Sequence, residues 1–150
     1  MARPRLEPLF AALGHRTIWV GKVGTGSRLK LVANSWLGLA AEAVNTSIAL
    51  ARRLGLDTET VANALDGSPL VSPWQAAKLR RIVHDDFSPQ FALSLALKDV
   101  HLALEAAGDD RFQALSCLAE EWQAVVDAGQ GDEDLTVVTR VLEEGEEVLR

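Results

Sequence analysis

The sequence lacks tyrosine altogether and has a single cysteine, Cys117, among its 150 residues. One cysteine cannot form an internal disulfide or a cysteine metal site, and the three histidines, His15, His84 and His101, have no ligand-like spacing. We therefore predict that the protein binds no metal. Aromatic residues make up only 5%, so the core is expected to be aliphatic and rich in alanine, which favours helices over sheets.

An excess of positive charge and a long hydrophobic run are also missing. The formal net charge is −6, which argues against a general phosphate-binding surface for DNA or RNA. The most hydrophobic stretch, residues 31–41, falls well short of the roughly 20 residues that a membrane span needs. No apolar run follows the basic residues at the start of the sequence, so no signal peptide is predicted. We expect no nucleic-acid partner, no membrane segment and a cytoplasmic location.

From Gly24 onwards the apolar residues recur at helical spacing. Between Ser27 and Leu54 there is no proline and only one glycine, Gly38, and the apolar side chains outline a broad stripe. This predicts a helix of roughly 27 residues, about 40 Å long, at the centre of an all-α domain. Capping residues, glycines and prolines delimit further helices, at about 58–65, 73–83, 90–107, 112–128 and 134–148.

The residues before Gly24 have a different pattern. Apolar side chains three and four apart between Leu6 and Leu13 predict a helix that ends at Gly14. Residues 17–20 predict a short β-strand. One helix and one strand cannot form a sheet by themselves, so their apolar faces are expected to pack against something else.

Two polar side chains, Lys30 and Asn34, interrupt the apolar start of the long helix. They are four residues apart and therefore lie on the same flank. In a structural interpretation, the lysine stem lies on apolar surface while its amine reaches water. In a chemical interpretation, a partly buried amine with a lowered pKa works as a general acid or base near neutral pH. The residue pattern alone leaves both interpretations open.

Three other segments carry candidate functional residues. The glycine-rich segment 21–26 fits neither the dinucleotide fingerprint nor the phosphate loop, and is either a flexible connector or a helix N-terminus that favours an anion. Lys98 and Asp99 are predicted to be adjacent surface residues that do not interact. Residues 129–134 are predicted to form a turn followed by a helix cap at Asp132 or Asp134.

Taken in order, several segments resemble the motifs of the β-hydroxyacid dehydrogenases. Residues 24–34 resemble the Gly-x-Gly-x-x-x-Lys-x-x-x-Asn motif of that family, and residues 51–57 look like its continuation of the same helix. Residues 86–91 and 97–100 resemble the family's Phe-x-Pro-x-Phe and Leu-x-Lys-Asp-Leu motifs, and residues 129–134 resemble its Gly-x-Gly-x-x-Asp signature. The order of these matches over nearly the whole chain is more specific than any single one.

The resemblance implies a two-domain enzyme that oxidises a small 3-hydroxy acid with NAD or NADP. Its first domain would be a Rossmann domain, and its second an all-α domain around one long helix. Residues 1–22 would be a helix and strand remnant of the Rossmann domain, and residues 23–150 the helical substrate and dimerisation domain. The rest of the Rossmann domain is missing from this sequence, so we expect a truncated chain that is inactive alone. Homologous enzymes form dimers or tetramers, which implies a homo-oligomer.

The resemblance also implies roles for individual residues. Lys30 would be the catalytic acid or base. Asn34 and Gly26 would bind the substrate, while Lys98 and Phe91 would contact the cofactor. The chemistry would need no metal.

Two alternatives remain, and one departure bears on the substrate. Ser35 stands where the family commonly has a second asparagine, which affects the finer substrate contacts. An imine reductase of similar fold is one alternative, but that group typically replaces the residue matching Lys30. A non-catalytic helical oligomerisation module is the other, and it has no need for the polar pair Lys30 and Asn34.

Overall fold

The computed structural model describes residues 3–108 and 111–144, and this part of the chain is all-α, as predicted. It contains seven α-helices: α1 (Arg3–Leu13), α2 (Thr25–Arg53), α3 (Thr58–Leu65), α4 (Pro73–Val83), α5 (Leu93–Ala107), α6 (Gln113–Val125) and α7 (Val138–Glu144). A π-helical turn (Val126–Gln130) and a 3-10 turn (Leu135–Val137) lie between α6 and α7. None of these helices is long and apolar enough to cross a membrane. The chain divides into two compact units, Met1–Lys30 and Leu31–Arg150.

The first unit contains α1 and the first turns of α2, joined by an irregular segment. The strand predicted at residues 17–20 is wrong, because these residues have no regular secondary structure. A strand is stabilised by hydrogen bonds to a neighbouring strand, and the described residues provide none. The ring of Trp19 instead meets that of Phe10 edge-on, with ring centroids 5.8 Å apart. Gly14 follows the last residue of α1, as predicted.

The long helix α2 runs for 29 residues, which confirms the predicted helix. Its buried face meets α5 and α6 at Gly38, where an added Cβ would lie 3.5 Å from Val100 and 3.6 Å from Trp122. Its opposite face is open, with Trp36 77% exposed. Within the described residues, the helix is therefore covered on one face only.

The core of the second unit lies between α2, α4, α5, α6 and the segment that leads into α7. It is aliphatic as predicted, with Phe87 and Trp122 as its buried aromatic residues. Asn45 is completely buried in it. Its amide donates to the Leu135 carbonyl over 3.2 Å and accepts from the Thr139 hydroxyl over 3.1 Å. These two bonds connect α2 to the C-terminal part of the described chain.

Side chains cap the first turns of α3 and α4. Asp57 caps α3, and Ser72 caps α4 in a reciprocal capping box with Gln75. The helix predicted at 112–128 ends as an α-helix at Val125, and the chain then turns through Gly129, whose φ of +88° favours glycine. The end predicted at residue 148 lies outside the described residues.

The cap at Ser72 gives a direct test of the fold. We expect Ser72→Ala to lower the free energy of unfolding by about 1 kcal/mol, because the backbone NH of Gln75 loses the Ser72 hydroxyl as its hydrogen-bond acceptor. Urea unfolding followed by circular dichroism measures the difference. Ser47→Ala is the matched control, since Ser47 lies in the middle of α2, has an exposed side chain and caps no helix. An equal loss in both variants would contradict the cap.

Candidate active site

Asn34 and Asp99 bring α2 and α5 together at the candidate site. The Asn34 side-chain amide donates to Asp99 Oδ2 over 2.5 Å. Asp99 is only 4% exposed, and Asn34 is half-buried. A hydrogen bond to a carboxylate is strong, so it orients the amide with its NH2 group towards Asp99. The Asn34 carbonyl oxygen is thereby directed away from Asp99, where it can accept a hydrogen bond from another donor such as a hydroxyl group.

Lys98 pairs with the same carboxylate. Its amine lies 3.2 Å from Asp99 Oδ1, and its side chain is 57% exposed while that of Asp99 is 5% exposed. The prediction that Lys98 and Asp99 do not interact is therefore wrong. Adjacent residues on a helix point in different directions, but the long and flexible lysine stem reaches across that angle. Asp99 thus contacts both the half-buried amide of Asn34 and the exposed amine of Lys98.

The predicted residues Gly26 and Lys30 lie in the first unit, at the start of α2. Gly24 precedes the helix with a φ of +90°, a conformation that suits glycine. An added Cβ at Gly26 would meet no atom within 4 Å, so the first turn of the helix is open to approach. Lys30 is exposed, which differs from the partial burial in our chemical interpretation. The roles of both residues stay predictions.

Phe91, a predicted cofactor residue, lies just before α5. Its side chain is half-buried and packs against the core. Its backbone NH donates to the Asp134 carboxylate over 3.2 Å, and its carbonyl accepts from the NH of Leu135 over 3.1 Å. These contacts hold the residue in place from one side, and its contact with the cofactor stays a prediction.

The sequence reasoning missed a buried ion pair between Lys78 and Asp134. The amine of Lys78 lies 2.9 Å and 2.8 Å from the two Asp134 oxygens, and the two residues are 1% and 0% exposed. A signal was present, because Trp74, Lys78 and Ile82 are four residues apart, so a lysine interrupts the apolar stripe of α4. Asp134 was predicted as a possible helix cap and as the last residue of the Gly-x-Gly-x-x-Asp signature, without a partner. It does cap the 3-10 turn that follows it.

The charged form of Asp134 is favoured in spite of its burial. Burial on its own would raise the pKa of the Asp134 carboxyl. The hydrogen bonds from Lys78, Gln90 and Thr136, with the charge of Lys78, outweigh burial and lower the pKa below its ordinary value. The Asp134 carboxyl is therefore ionised at neutral pH, as a buried carboxylate with this many donors should be.

Two carboxyl groups, those of Glu42 and Glu121, lie where α2 meets α6. Glu42 accepts from the indole NH of Trp122 over 2.9 Å and from the Thr46 hydroxyl over 2.7 Å. Glu121 has one buried carboxyl oxygen without a hydrogen-bond partner. Burial and then the nearby charge of Glu42 raise the pKa of Glu121 to about 7. This side chain therefore changes charge near neutral pH.

Known proteins resemble this chain in sequence and in fold. A family model described as NAD-binding of NADP-dependent 3-hydroxyisobutyrate dehydrogenase matches residues 24–142. This chain belongs to the 3-hydroxyisobutyrate dehydrogenase family. The result confirms the resemblance drawn from the sequence motifs, and it makes the chain a member of a family of NAD(P)-dependent oxidoreductases.

Curated relatives agree with this family. The chain is 31% identical over 134 residues to glyoxylate/succinic semialdehyde reductase 1 of Arabidopsis thaliana, which covers 87% of the chain and 46% of the relative. It is 33% identical over 103 residues to 2-hydroxy-3-oxopropionate reductase of Escherichia coli (strain K12), which covers 69% of the chain and 35% of the relative. The chain thus spans about half the length, or less, of the curated relatives that it matches.

A solved structure shares the fold. The crystal structure of a 3-hydroxyisobutyrate dehydrogenase from Salmonella typhimurium matches 93% of this chain and 50% of its own chain, with a TM-score of 0.85. The sequence identity is 24%, so this match bears on the fold alone.

The surface near Lys98 carries polar groups beside an exposed amine. A shallow cleft between α5 and α6 is lined by the polar residues Ser94, Lys98, His101 and Gln123, by the carboxylate of Glu105, and by the apolar residues Leu97, Leu102 and Val126. An exposed cation beside hydroxyl, imidazole and amide groups suits a phosphate or a ribose. In the described residues, no group of three or more histidine, cysteine or acidic side chains could hold a metal ion.

Glu121 gives a test of the electrostatics. The pKa of Glu121 is near 7 in the folded chain and about 4.3 in the unfolded chain, so the folded chain holds this proton more tightly. The contribution of the protonated side chain to the free energy of unfolding is complete below pH 4 and is lost as the pH rises through 7. Because the side chain is partly solvated, we expect a loss of about 1–2 kcal/mol rather than the full value of the shift. Urea unfolding between pH 5 and pH 8 measures it.

Two variants isolate the contribution of Glu121. The free energy of unfolding of Glu121→Gln should fall less between pH 5 and pH 8 than that of the parent chain. Glu120→Gln should keep the parent's dependence, because Glu120 is the exposed neighbour on the same helix. An unchanged pH dependence in Glu121→Gln would refute the assignment.

Proposed function

We propose that this chain supplies the helical, substrate-binding half of an NAD(P)-dependent enzyme that interconverts a small 3-hydroxy acid and its carbonyl form. The observation that supports this most is the Asn34–Asp99–Lys98 arrangement in a chain of the 3-hydroxyisobutyrate dehydrogenase family. The names of two curated relatives refer to small acids that carry an aldehyde group. The individual substrate, and the choice between NAD and NADP, are left open by this proposal.

Lys30 is the proposed general acid or base. In the direction of oxidation its neutral amine takes the proton of the substrate hydroxyl, and in the direction of reduction its ammonium form gives a proton to the new hydroxyl oxygen. NAD(P), when bound, would supply the hydride chemistry, as the acceptor in oxidation and the donor in reduction. Positioned proton transfer of this kind contributes about 10²–10⁴-fold to a rate.

Asn34 is the proposed substrate-binding residue one helical turn after Lys30. Its NH2 group is held by Asp99, so its carbonyl oxygen is the group left to accept from the substrate hydroxyl. The hydroxyl has a single proton, so this hydrogen bond orients the hydroxyl as the substrate binds and is given up when the proton moves to Lys30. Gly26 is proposed to let the substrate carboxylate approach the start of α2, where backbone NH groups favour an anion.

Lys98 is the proposed cofactor contact, with Phe91 close to the same helix. The exposed amine of Lys98 is paired with Asp99, which limits the positions that the amine can take. A positively charged group held in this way favours the negatively charged phosphates of NAD(P). Most of the cofactor surface would be bound by a dinucleotide-binding domain that these 150 residues do not supply, and turnover would require that domain.

We also infer a homo-oligomer, since α2 exposes apolar side chains that a soluble surface rarely collects. Val32, Trp36 and Leu39 are 66%, 77% and 40% exposed, three and four residues apart on one side of the helix. A second copy of the chain would bury them. The cytoplasmic location stays a prediction.

Replacement of Lys30 tests the proposed chemistry in the two-domain enzyme. We expect Lys30→Ala to lower kcat by about 10²–10⁴-fold with unchanged circular dichroism, because the proton has no positioned acceptor. The assay follows NAD(P)H absorbance during oxidation of 3-hydroxyisobutyrate and during reduction of 2-hydroxy-3-oxopropionate (tartronate semialdehyde). Lys22→Ala is the matched control, an exposed lysine of the same unit that should keep parental rates.

Parental rates in Lys30→Ala would contradict the proposal and would favour the non-catalytic helical module. Reduction of cyclic imines, with no activity towards either hydroxy-acid substrate, would favour the imine reductase instead.

A further inference from the structure

We propose that the buried ion pair between Lys78 and Asp134 is a positioning device for the candidate active site. It sets where α5 begins and, through α5, where Asp99 meets Asn34. Its catalytic consequence rests on the proposed function, whereas its effect on the position of α5 does not. Lys78 and Asp134 are positioning residues in this proposal, because neither is expected to touch the substrate or the cofactor.

One carboxylate connects three parts of the second unit. Asp134 Oδ2 accepts from Lys78 of α4 over 2.8 Å and from the backbone NH groups of Gln90 and Phe91 over 3.0 and 3.2 Å. Asp134 Oδ1 accepts from Lys78 over 2.9 Å and from the Thr136 hydroxyl, also over 2.9 Å. The Asp134 side chain therefore joins the segment before α5 to α4 and to the 3-10 turn. The hydrogen bonds from Lys78 to the Gln90 side chain and from the Leu135 NH to the Phe91 carbonyl support the same arrangement.

The start of α5 depends on the same segment, because it has no side-chain cap. Its N-cap residue is Ala92, which offers no acceptor. The NH groups of Leu93 and Ser94 donate to the carbonyls of Glu133 and Gly131, each over 2.9 Å. Residues 131–134 thus do what a capping side chain does at other helices.

The approach of the two segments is close at Gly131. An added Cβ at this glycine would lie 3.3 Å from Ser94 Cβ and 3.3 Å from a methyl group of Val126. Such a contact is tight, so glycine allows the backbone of residue 131 to reach α5. The short distance makes the position of α5 sensitive to the position of Asp134 three residues later.

The first residues of α5 carry this position to the candidate site. Asp99 lies six residues after Leu93 in the same helix, a rise of about 9 Å along a rigid element. Different contacts hold α2: Gly38 packs against α5 and α6, and Asn45 bonds to Leu135 and Thr139, just after Asp134. A shift of α5 relative to α2 would therefore change the Asn34–Asp99 contact directly.

A purely stabilising role explains the ion pair less well. Taking two charges out of water is costly, and apolar residues of similar size often give equal or greater stability. The pair is also surrounded by backbone NH groups from the segment before α5, which an apolar pair could not orient. Specification of geometry is thus the property that distinguishes this pair from an apolar replacement.

The catalytic arm of the test uses Asp134→Asn in the two-domain enzyme. An asparagine has one acceptor oxygen, so it cannot serve both the Gln90 and Phe91 NH groups and the Thr136 hydroxyl. We expect kcat/KM of the folded enzyme to fall about 10–100-fold, as small misplacements of catalytic groups do. In an Asn34→Ala background, Asp134→Asn should lower kcat/KM by less than about threefold, since the contact that Asp134 positions is already lost.

The matched control is Asp132→Asn, which makes the same charge change at an exposed position two residues earlier. It should leave kcat/KM unchanged. Equal fold losses from Asp134→Asn with and without Asn34 would overturn the positioning role, because a structural defect adds to the loss of Asn34 instead of overlapping with it.

A structural arm decides the inference even if the enzyme proves not to be a dehydrogenase. In Asp134→Asn we expect the NMR signals of the Asn34 side-chain NH2 group to shift, and the amides of residues 93–99 to exchange with solvent at least tenfold faster. The amides of α3 should exchange as before. A uniform increase over all helices, or no change in α5 and Asn34, would overturn the inference.

A second variant keeps the test valid if Asp134→Asn fails to fold. The double change Lys78→Met and Asp134→Asn removes both charges of the pair. Arg81, whose guanidinium lies 3.8 Å from Asp134 Oδ2, keeps its ion pair with Asp86, so the fold is expected to survive the change. The same NMR, exchange and activity results are expected, and parental behaviour of this double variant would overturn the inference.

Discussion

The hydrogen bond between Asn34 and Asp99 is the contact on which the candidate site depends. It joins two residues that are 65 positions apart in the chain and lie on different helices, and it leaves a carboxylate that is 4% exposed beside a lysine at the surface. An asparagine amide has a donor end and an acceptor end, so a buried carboxylate on one side determines which end faces the other way. The orientation of a proposed substrate acceptor thus follows from a residue that need not touch the substrate.

That contact depends in turn on how the two helices are held. α2 approaches α5 closely because Gly38 has no side chain, and its buried Asn45 bonds to the segment that leads into α7. α5 starts where Asp134 and its neighbours hold the preceding residues. Buried polar groups therefore set the distances in this domain, while aliphatic packing supplies most of the stability.

The sequence predicted much of the fold because the relevant signals are local. Helical spacing and the caps at Asp57 and Ser72 lie within a few residues of the elements that they define. The strand at residues 17–20 was wrong because a strand depends on a partner that its own residues do not reveal. The Lys98–Asp99 contact was missed because spacing rules describe where helix positions point and not how far a lysine reaches.

The site was less predictable, because its main contacts join distant positions. Lys30 and Asn34 stood out as polar residues in an apolar helix, whereas the partners of Asn34 and Asp134 lie far away in sequence. Lys78 could have been singled out as a cation on the apolar stripe of α4. Family motifs pointed to Asp134 and to Lys98, but a motif does not state which atoms meet.

The most direct measurement of the central claim is a double-mutant cycle between Asn34 and Asp99 in the two-domain enzyme. If Asp99 acts by orienting Asn34, then Asn34→Ala and Asp99→Ala together should lower kcat/KM at least about tenfold less than the product of the two single effects. If the two losses simply multiply, the contact does not organise the site, and the proposed arrangement of substrate-binding groups is contradicted.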